Sequence, residues 1–222
     1  MNLVIVGTGD YAEVALHYLS GGTDYQVVAF SVEAAFLPVS PDERQFCGLP
    51  VVGFESLTAD FHPATTEVLV AVGPGRVNTV RERLYLETKS KGYRLITYIH
   101  PQAHVADPSM VGENSFVFPF VCLEPGTRVG NNCVFWAGSH LAHHSVVEDH
   151  CFIAPGARVS GRSTIKSNCF LGINSTVRDH VVVAERCIVG AGAVIKKDTV
   201  PDGVYSAQPG RLLHQDSSTT KI

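Results

Sequence analysis

The sequence lacks the features of two large functional classes. Nowhere in its 222 residues is there an apolar run near the ~20 residues that a membrane-spanning helix needs. Charged residues make up only 17% of the chain, and the 17 Lys and Arg do not outnumber the 21 Asp and Glu. A protein that follows a phosphate backbone is usually basic. We therefore expect neither a membrane nor a nucleic acid as a partner.

Signals for secretion and for a cysteine-bound metal are also missing. The apolar stretch at residues 3–6 is too short for a signal peptide and has no basic flank. None of the six cysteines forms a Cys-x-x-Cys pair. We expect a cytoplasmic protein with reduced thiols. Apolar residues make up 45% of the chain, which is enough for a packed core and excludes disorder for most of it.

The first hundred residues alternate strand and helix patterns. Apolar and β-branched segments predict strands, and segments with apolar residues at helical spacing predict helices between them. The predicted strands are 3–6, 25–32, 67–72 and 93–99, and the predicted helices are 11–19 and 77–91. This alternation predicts an α/β domain with a parallel sheet over residues 1–100.

The second half contains an internal repeat of six residues. Every sixth residue from Val105 to Ile195 is apolar, sixteen in succession, and the residue four places after each of them is small. These two positions lie two residues apart, so both point to the same face of a short strand. Six residues then form one side and one corner of a coil.

Four cysteines supply a longer period within this repeat. Cys133, Cys151, Cys169 and Cys187 are spaced by 18 residues, which is three hexapeptides. The spacing predicts a triangular prism whose coils stack ~4.8 Å apart. Residues 18 apart should therefore lie directly above one another.

Several motifs together resemble one family. They are Gly7-Thr8-Gly9, residues 47–53, residues 98–101, His143-His144-Ser145, residues 154–157 and residues 170–175. With the hexapeptide repeat, they make the chain similar to the NeuD/PglD-type sugar acetyltransferases, which are hexapeptide-repeat acyltransferases. The resemblance implies a Rossmann-like nucleotide-sugar-binding domain at 1–100 and, at 101–222, a left-handed parallel β-helix acyltransferase domain with a C-terminal tail. It also implies a homotrimer that uses acetyl-CoA as co-substrate.

His143 and His144 fall at a corner of the predicted prism and are the candidate catalytic residues. Gly161 follows His143 by 18 residues, so it should offer bare backbone and open space above the imidazole. A base and an N–H donor for the oxyanion are what acyl transfer needs. The resemblance assigns the general base to His143. The role of His144 is less defined, since a carboxylate is expected to orient the base. Glu124, Glu148 and Asp149 all remain candidates for this carboxylate.

The resemblance also places the acetyl-CoA channel between neighbouring subunits. Residues of the late coils and the C-terminal tail would line it. The implied contacts are Gly161, Gly172, Ile173, Gly190 and Ala191 for the pantetheine, with Lys196, Lys197 and Arg211 for the phosphates.

The candidate acceptor site lies at the first strand–helix turn. A glycine turn before a helix suits a phosphate, because free N–H groups and the helix dipole favour anions. The candidate residues are Gly7, Gly9, Asp10, Tyr11 and Ser31. An NAD site would need an acid at the end of the second strand, where this chain has Phe30-Ser31. A dinucleotide oxidoreductase is therefore disfavoured.

The expected function is transfer of an acetyl group to a nucleotide-linked amino sugar in surface-glycan or O-antigen biosynthesis. A sugar O-acetyltransferase of the sialic acid type and a non-catalytic nucleotide-sugar-binding scaffold remain alternatives. A zinc enzyme of the γ-carbonic anhydrase type needs two histidines five residues apart. No pair among His140, His143, His144, His150 and His180 has this spacing, so no metal is expected. His150 and His180 are expected at the surface.

Overall fold

The computed structural model describes residues 1–209. Its first part alternates strands with helices as the sequence predicts, with an additional hairpin and a short additional helix. The elements are β1 (Asn2–Val6), α1 (Asp10–Leu19), β2 (Gln26–Val32), β3 (Gln45–Phe46), β4 (Leu49–Gly53), α2 (Leu57–Asp60), β5 (Thr66–Val70) and α3 (Thr79–Ser90). Short 3-10 turns occupy Ala34–Phe36 and Pro41–Glu43.

These strands form one five-stranded sheet in the order β3-β4-β2-β1-β5. All neighbouring pairs are parallel except β3 and β4. Side chains of β1 alternate between the two faces: Leu3 and Ile5 join the core that continues into the second part of the chain, whereas Val4 and Val6 join a separate cluster. The sheet is therefore buried on both faces.

The predicted strand over residues 93–99 does not form as one unit. Leu95 makes a single parallel bridge to Val68. Tyr98–Ile99 (β6) leaves the sheet and pairs with Phe116–Val117 (β8) in the second part of the chain. The first residues of this segment pair with the sheet and the last ones with the second part of the chain. Both parts are apolar, so periodicity alone could not show that the segment divides. The division of domains after residue 100 stays a prediction.

The second part consists of two-residue strands, each six residues after the last along most of its length. Besides β6 and β8, they are β7 (His104–Val105), β9 (Cys122–Leu123), β10 (Arg128–Val129), β11 (Val134–Phe135), β12 (His140–Leu141), β13 (Val146–Val147), β14 (Phe152–Ile153), β15 (Arg158–Val159), β16 (Thr164–Ile165), β17 (Phe170–Leu171), β18 (Thr176–Val177), β19 (Val182–Val183), β20 (Ile188–Val189), β21 (Val194–Ile195) and β22 (Val204–Tyr205). They stack in parallel into sheets of seven, six and four strands. The partners are 18 residues apart from β7 to β21, as in His140↔Arg158, which confirms the predicted coil of short parallel strands. We call this part the prism.

A turn with one left-handed residue closes each side of the prism. The residue three places after the inward apolar position has positive φ in all fourteen turns from Asn114 to Gly192. Only four of these residues are glycine; four are Asn and three are His. Asn and His tolerate this conformation better than most residues, which explains their number at the corners. His144 is one of them, with φ of 59°.

One corner of the prism docks against the sheet. Asn114, Asn132, His150 and Asn168, spaced by 18, are all buried there. The Asn114 side chain exchanges hydrogen bonds with the backbone N–H and C=O of Val70 at 2.8 and 3.2 Å. It also donates to Oδ1 of Asn132 at 2.8 Å, and Asn132 contacts Nδ1 of His150 at 2.9 Å. We call these four residues the docking column.

Helix α3 holds the same corner from outside. The Arg81 side chain is fully buried, and its Nη2 donates to the carbonyl oxygens of Asn132, His150 and Cys151 at 3.0–3.2 Å. Glu82 contacts Nδ2 of Asn168 at 2.8 Å. The expectation that His150 lies at the surface is therefore wrong. The sequence period places His150 at a corner but does not tell which corner the sheet covers.

None of the helices formed by residues 1–209 has the length and apolar character needed to cross a bilayer.

Candidate active site

His143 and Gly161 lie next to each other on successive coils, as the 18-residue spacing predicts. A Cβ atom built on Gly161 would lie 2.6 Å from Cε1 and 2.7 Å from Nε2 of His143. Only glycine leaves room for the imidazole in this place. The His143 side chain itself is exposed in the single chain.

The space expected to be open beside Gly161 is instead filled by this imidazole. Gly161 is consequently buried. Its backbone N–H makes no hydrogen bond to any residue of the described part of the chain. The N–H therefore has no partner within residues 1–209, even though the glycine does not offer an empty cleft.

Glu124 holds the turn that carries His143. Its Oε2 accepts the backbone N–H of His143 at 2.8 Å, and its Oε1 lies 2.8 Å from Nε2 of His140. The N–H of His143, and next the His140 side chain, lower the pKa of Glu124 below its ordinary value. Glu124 is thus ionised at neutral pH and fixes the backbone of the turn, not the imidazole of His143.

His144 contacts the other edge of the His143 imidazole. The two Nδ1 atoms are 3.2 Å apart, and the rings meet edge to face with an interplanar angle of 80°. Gly126 lies one coil earlier, where a Cβ would come within 2.9 Å of Cδ2 of His144. The structure therefore brings both candidate catalytic residues together between two glycines.

All five candidate acceptor residues line one pocket of about 650 Å³ between the sheet and the prism. Gly7, Gly9 and Asp10 form its rim at the start of α1, and Tyr11 and Ser31 line its wall. Gly9 is the N-cap of helix α1 and provides no side-chain cap, so the first N–H groups of the helix have no side-chain partner within residues 1–209 and can bind a ligand. The volume is typical of small-molecule sites.

Three polar side-chain atoms of this pocket are buried without a partner within residues 1–209: Oη of Tyr11, Oγ of Ser31 and Nε1 of Trp136. Burial raises the pKa of Tyr11 well above its ordinary value, so its hydroxyl is a neutral donor. Buried polar groups are nearly always hydrogen-bonded in folded proteins. Unpartnered atoms in a pocket wall are therefore suited to a polar ligand.

A buried positive charge lies behind the pocket. No acidic side chain of the described residues pairs with the Arg81 guanidinium, and its Nε and Nη1 atoms have no partner there. Burial lowers the pKa of Arg81 from its ordinary value, but the guanidinium stays protonated. Its neighbours Val80 and Leu84 line the pocket. An uncompensated cation at this place favours an anionic ligand.

Sequence reasoning missed the prism side of the pocket. Trp136 and Phe152 line it, and Trp136 stacks on Phe118 at a centroid distance of 4.2 Å. Phe152 follows Phe116 by two coils and precedes Phe170 by one, at outward strand positions. These aromatic residues form a column at positions that should face solvent. Such a column could have indicated from the sequence that another part of the chain covers this face.

The predicted coenzyme contacts do not come together within one chain. Gly161, Lys196 and Lys197 belong to the corner of His143, whereas the other predicted contacts belong to the neighbouring corner. These others are Gly172, Ile173, Gly190 and Ala191. The two corners lie at opposite ends of the strands of the six-stranded sheet, because residues six apart lie on successive corners.

These predicted contacts also differ in exposure. Ile173 is 52% exposed, and Ala191, Lys196 and Lys197 are exposed as well. Gly172 is buried, and a Cβ there would lie 2.7 Å from the backbone N of Ala191. Glycine at this position therefore permits close stacking of two coils. Arg211 lies outside the described residues.

Within residues 1–209, no cluster of three or more His, Cys, Asp or Glu has a geometry that suits a metal ion.

The family model described as GMPPB C-terminal domain matches residues 95–204. None of the curated proteins matches. A mutant of perosamine N-acetyltransferase from Caulobacter crescentus, solved in complex with CoA and GDP-perosamine, is 25% identical with a TM-score of 0.79, over 97% of this chain and 98% of that one.

Two further solved structures are similar. The acetyltransferase domain of PglB from Neisseria gonorrhoeae FA1090, in complex with acetyl coenzyme A, is 25% identical with a TM-score of 0.80, over 96% of this chain and 98% of that one. WeeI from Acinetobacter baumannii AYE shares the fold at 20% identity, with a TM-score of 0.79 over 96% of this chain and 100% of that one. The resemblance to hexapeptide-repeat sugar acetyltransferases predicted from the sequence is confirmed.

Proposed function

From the architecture that this chain shares with sugar N-acetyltransferases over almost its entire length, we propose that it is an acetyl-CoA-dependent acetyltransferase whose acceptor is a nucleotide-linked amino sugar. The observation that carries the proposal is the match to structures holding CoA or acetyl-CoA, one of them together with GDP-perosamine. The contact between His143 and Gly161 supports it, since it supplies a base and an N–H donor side by side.

The pocket supports a nucleotide sugar as the acceptor. The uncapped N-terminus of α1, with Gly7 and Gly9 before it, would bind the diphosphate. Arg81 adds positive charge behind the wall, and the hydroxyls of Tyr11 and Ser31 are free to bond the sugar or the base. Asp10 at the rim would hold a sugar hydroxyl. If Ser31 contacts the base, base recognition would rest on a neutral hydroxyl.

The reaction requires two proton transfers and one acyl transfer. Nε2 of His143 takes a proton from the sugar amine as its nitrogen attacks the carbonyl carbon of the acetyl thioester. The Gly161 N–H donates to the oxyanion that forms. The C–S bond then breaks, an amide remains on the sugar, and the thiolate of CoA leaves and takes up a proton. No metal takes part.

The coenzyme site would be completed by a second copy of the chain. Because the predicted contacts divide between two corners, Gly172, Ile173, Gly190 and Ala191 of one copy would face the His143 corner of its neighbour. Lys196 and Arg211 would bind the phosphates of CoA. We accordingly propose a homotrimer of left-handed β-helices, each carrying a Rossmann-like domain over residues 1–100 and an acyltransferase domain over residues 101–222.

We place the enzyme in the cytoplasm, in the synthesis of surface-glycan or O-antigen precursors. Nucleotide-linked sugars are the activated donors from which such polymers are assembled.

The test is a panel of nucleotide-linked amino sugars incubated with acetyl-CoA, with acetylated products identified by mass spectrometry. We expect an acetyl group that resists hydroxylamine, as an amide does, and loss of turnover by about 10²- to 10⁴-fold in His143→Ala. His180→Ala is the control, since His180 is an exposed histidine of the same prism. A hydroxylamine-labile product would assign O-acetylation instead, and binding of the sugar without any acetyl transfer would favour the scaffold.

A further inference from the structure

The imidazole of His143 makes its one side-chain hydrogen bond within the described residues to another histidine. Its Nδ1 lies 3.2 Å from Nδ1 of His144. A neutral imidazole carries one N–H donor and one acceptor nitrogen. Two Nδ1 atoms at this distance attract each other only when one of them carries a proton and the other does not. The contact therefore couples the tautomers of the two side chains.

None of the three candidate carboxylates orients the His143 imidazole. Glu124 bonds His140 and the backbone N–H of His143. Glu148 bonds Lys166 and Ser167, and Asp149 accepts the backbone N–H of Asn131. The question of which carboxylate orients the base, left open by the sequence, has a different answer: a neighbouring imidazole occupies that place.

The turn geometry holds the pair in contact. The left-handed backbone of His144 brings the two successive side chains together at one corner. Gly161 leaves room for the ring of His143, and Gly126 leaves room for the ring of His144. The next coil carries Arg162 at the turn position of His144, and Arg162 is exposed. The charged and titratable groups around the pair are therefore Glu124, His140 and Arg162.

We propose that His144 is a positioning residue that accepts the Nδ1–H of His143 and thereby keeps the Nε2 lone pair free for the acceptor. This assignment rests on the proposed acetyl transfer. When Nε2 takes the amine proton, His143 becomes an imidazolium, and the proton between the two Nδ1 atoms can pass to His144. The positive charge is then shared by two imidazoles, without a carboxylate. The proton taken from the amine is finally given to the thiolate of CoA or to water.

The tautomer of His143 tests the proposal without any turnover. Two-dimensional ¹H–¹⁵N correlation of the imidazole nitrogens should place the proton of His143 on Nδ1 in the native trimer or monomer, whichever forms. In His144→Gly, where the left-handed backbone is kept but the acceptor is lost, His143 should change to the Nε2–H form. An Nε2–H form of His143 already in the native protein would overturn the proposal.

Kinetics of matched variants supply the second readout. His144→Gly should lower kcat about 10- to 100-fold and leave the KM for acetyl-CoA unchanged, because only the orientation of the base is lost. His144→Asn should keep kcat within about 5-fold, since an amide oxygen can accept the Nδ1–H and Asn tolerates the left-handed turn. His180 has the same turn position two coils later with φ of 57°. His180→Gly and His180→Asn therefore control for backbone effects.

A glycine pair gives an independent check. Gly126 and Gly138 both have positive φ, 76° and 71°, but only a Cβ at Gly126 would meet His144. Gly126→Ala should lower kcat more than Gly138→Ala does, although the two variants should have the same thermal stability. Equal kcat in His144→Gly and the native enzyme would contradict the role of His144. If the native protein showed the Nδ1–H tautomer but no acetyl transfer, the proposed function would fail while the assignment of the pair would stand.

Discussion

The sheet and the prism each provide half of the proposed site, and the two halves differ in whether their polar groups already have hydrogen-bond partners. The sheet half is a pocket, closed on one side by the prism, in which polar atoms of Tyr11 and Ser31 are buried without a partner among residues 1–209. The prism half is an exposed corner where Glu124 and two histidines are already hydrogen-bonded to one another. Unpartnered buried groups are satisfied by a ligand, whereas an ordered exposed base is ready to take a proton. Under the proposed function, the pocket would bind the acceptor and the prism corner would carry out the chemistry.

The two regions also differ in what holds them together. The prism interior is stacked apolar side chains that repeat along its axis. The contact between the regions depends on a few buried polar groups of the docking column and α3. Substitutions in the prism interior and in the contact between the regions should separate these two kinds of stabilisation.

The largest effect is expected from the prism interior. Ile165 is fully buried there, and replacing it by alanine should lower the free energy of unfolding by about 2–5 kcal/mol because a cavity remains. Val182 lies on the next strand of the same sheet but points outward. Val182→Ala should cost less than about 1 kcal/mol. Urea unfolding of both variants measures the difference, and equal costs would contradict the inward and outward assignment.

The docking column should show a smaller effect. Asn132→Ala removes the hydrogen bonds to Asn114 and His150, so it should cost about 1–3 kcal/mol beyond the strain of its left-handed turn. Asn174→Ala is the control, since Asn174 has the same turn position and nearly the same φ but is exposed. Thermal unfolding measures both variants. A cost no greater in Asn132→Ala than in Asn174→Ala would mean that the column does not hold the two regions together.

The smallest effect is a pH dependence from His150. Burial lowers its pKa below the ordinary value of about 6.5, although Glu82 and Asp149 nearby act in the opposite sense and Arg81 adds to the lowering. As the pH falls below 6.5, the unfolded chain binds a proton that the folded chain resists. Stability should therefore be fully present above this pH and fall by at most ~1.4 kcal/mol per pH unit below it.

Replacing His150 by Asn provides the comparison. Asn tolerates the left-handed turn, as it does at the other three positions of the docking column. Denaturant unfolding of the native and variant proteins between pH 8 and 5.5 should give a slope that is smaller in His150→Asn. Identical slopes would show that His150 does not contribute to the pH dependence.

The prism could be predicted closely from the sequence because its contacts follow one period. Each inward position, such as Val147 or Ile165, meets the residue 18 places away, so the spacing alone gives the neighbour. The same arithmetic places His143 beside Gly161. Applied to Ile173 and Ala191, it would have placed them at a different corner from His143.

Contacts between the regions do not follow a period, and there the sequence was less informative. Nothing in the spacing indicates that His150 is covered by α3, or that Tyr98 leaves the sheet to start a coil. The sequence spacing places His143 beside Gly161 but does not give the side-chain conformation of His143, because local contacts determine it. The spacing therefore could not show that the imidazole fills the space beside Gly161. The partner of that imidazole was also not readable, since Glu124 could equally have bonded the ring or the backbone.

The proposed function separates acceptor binding, in the pocket, from acetyl transfer, at the prism corner. It is tested most directly by measuring both properties in His143→Ala with the acceptor that the panel identifies. We predict that calorimetry gives an unchanged dissociation constant for the nucleotide sugar, while turnover with acetyl-CoA falls by about 10²- to 10⁴-fold. Native turnover in this variant would contradict the account.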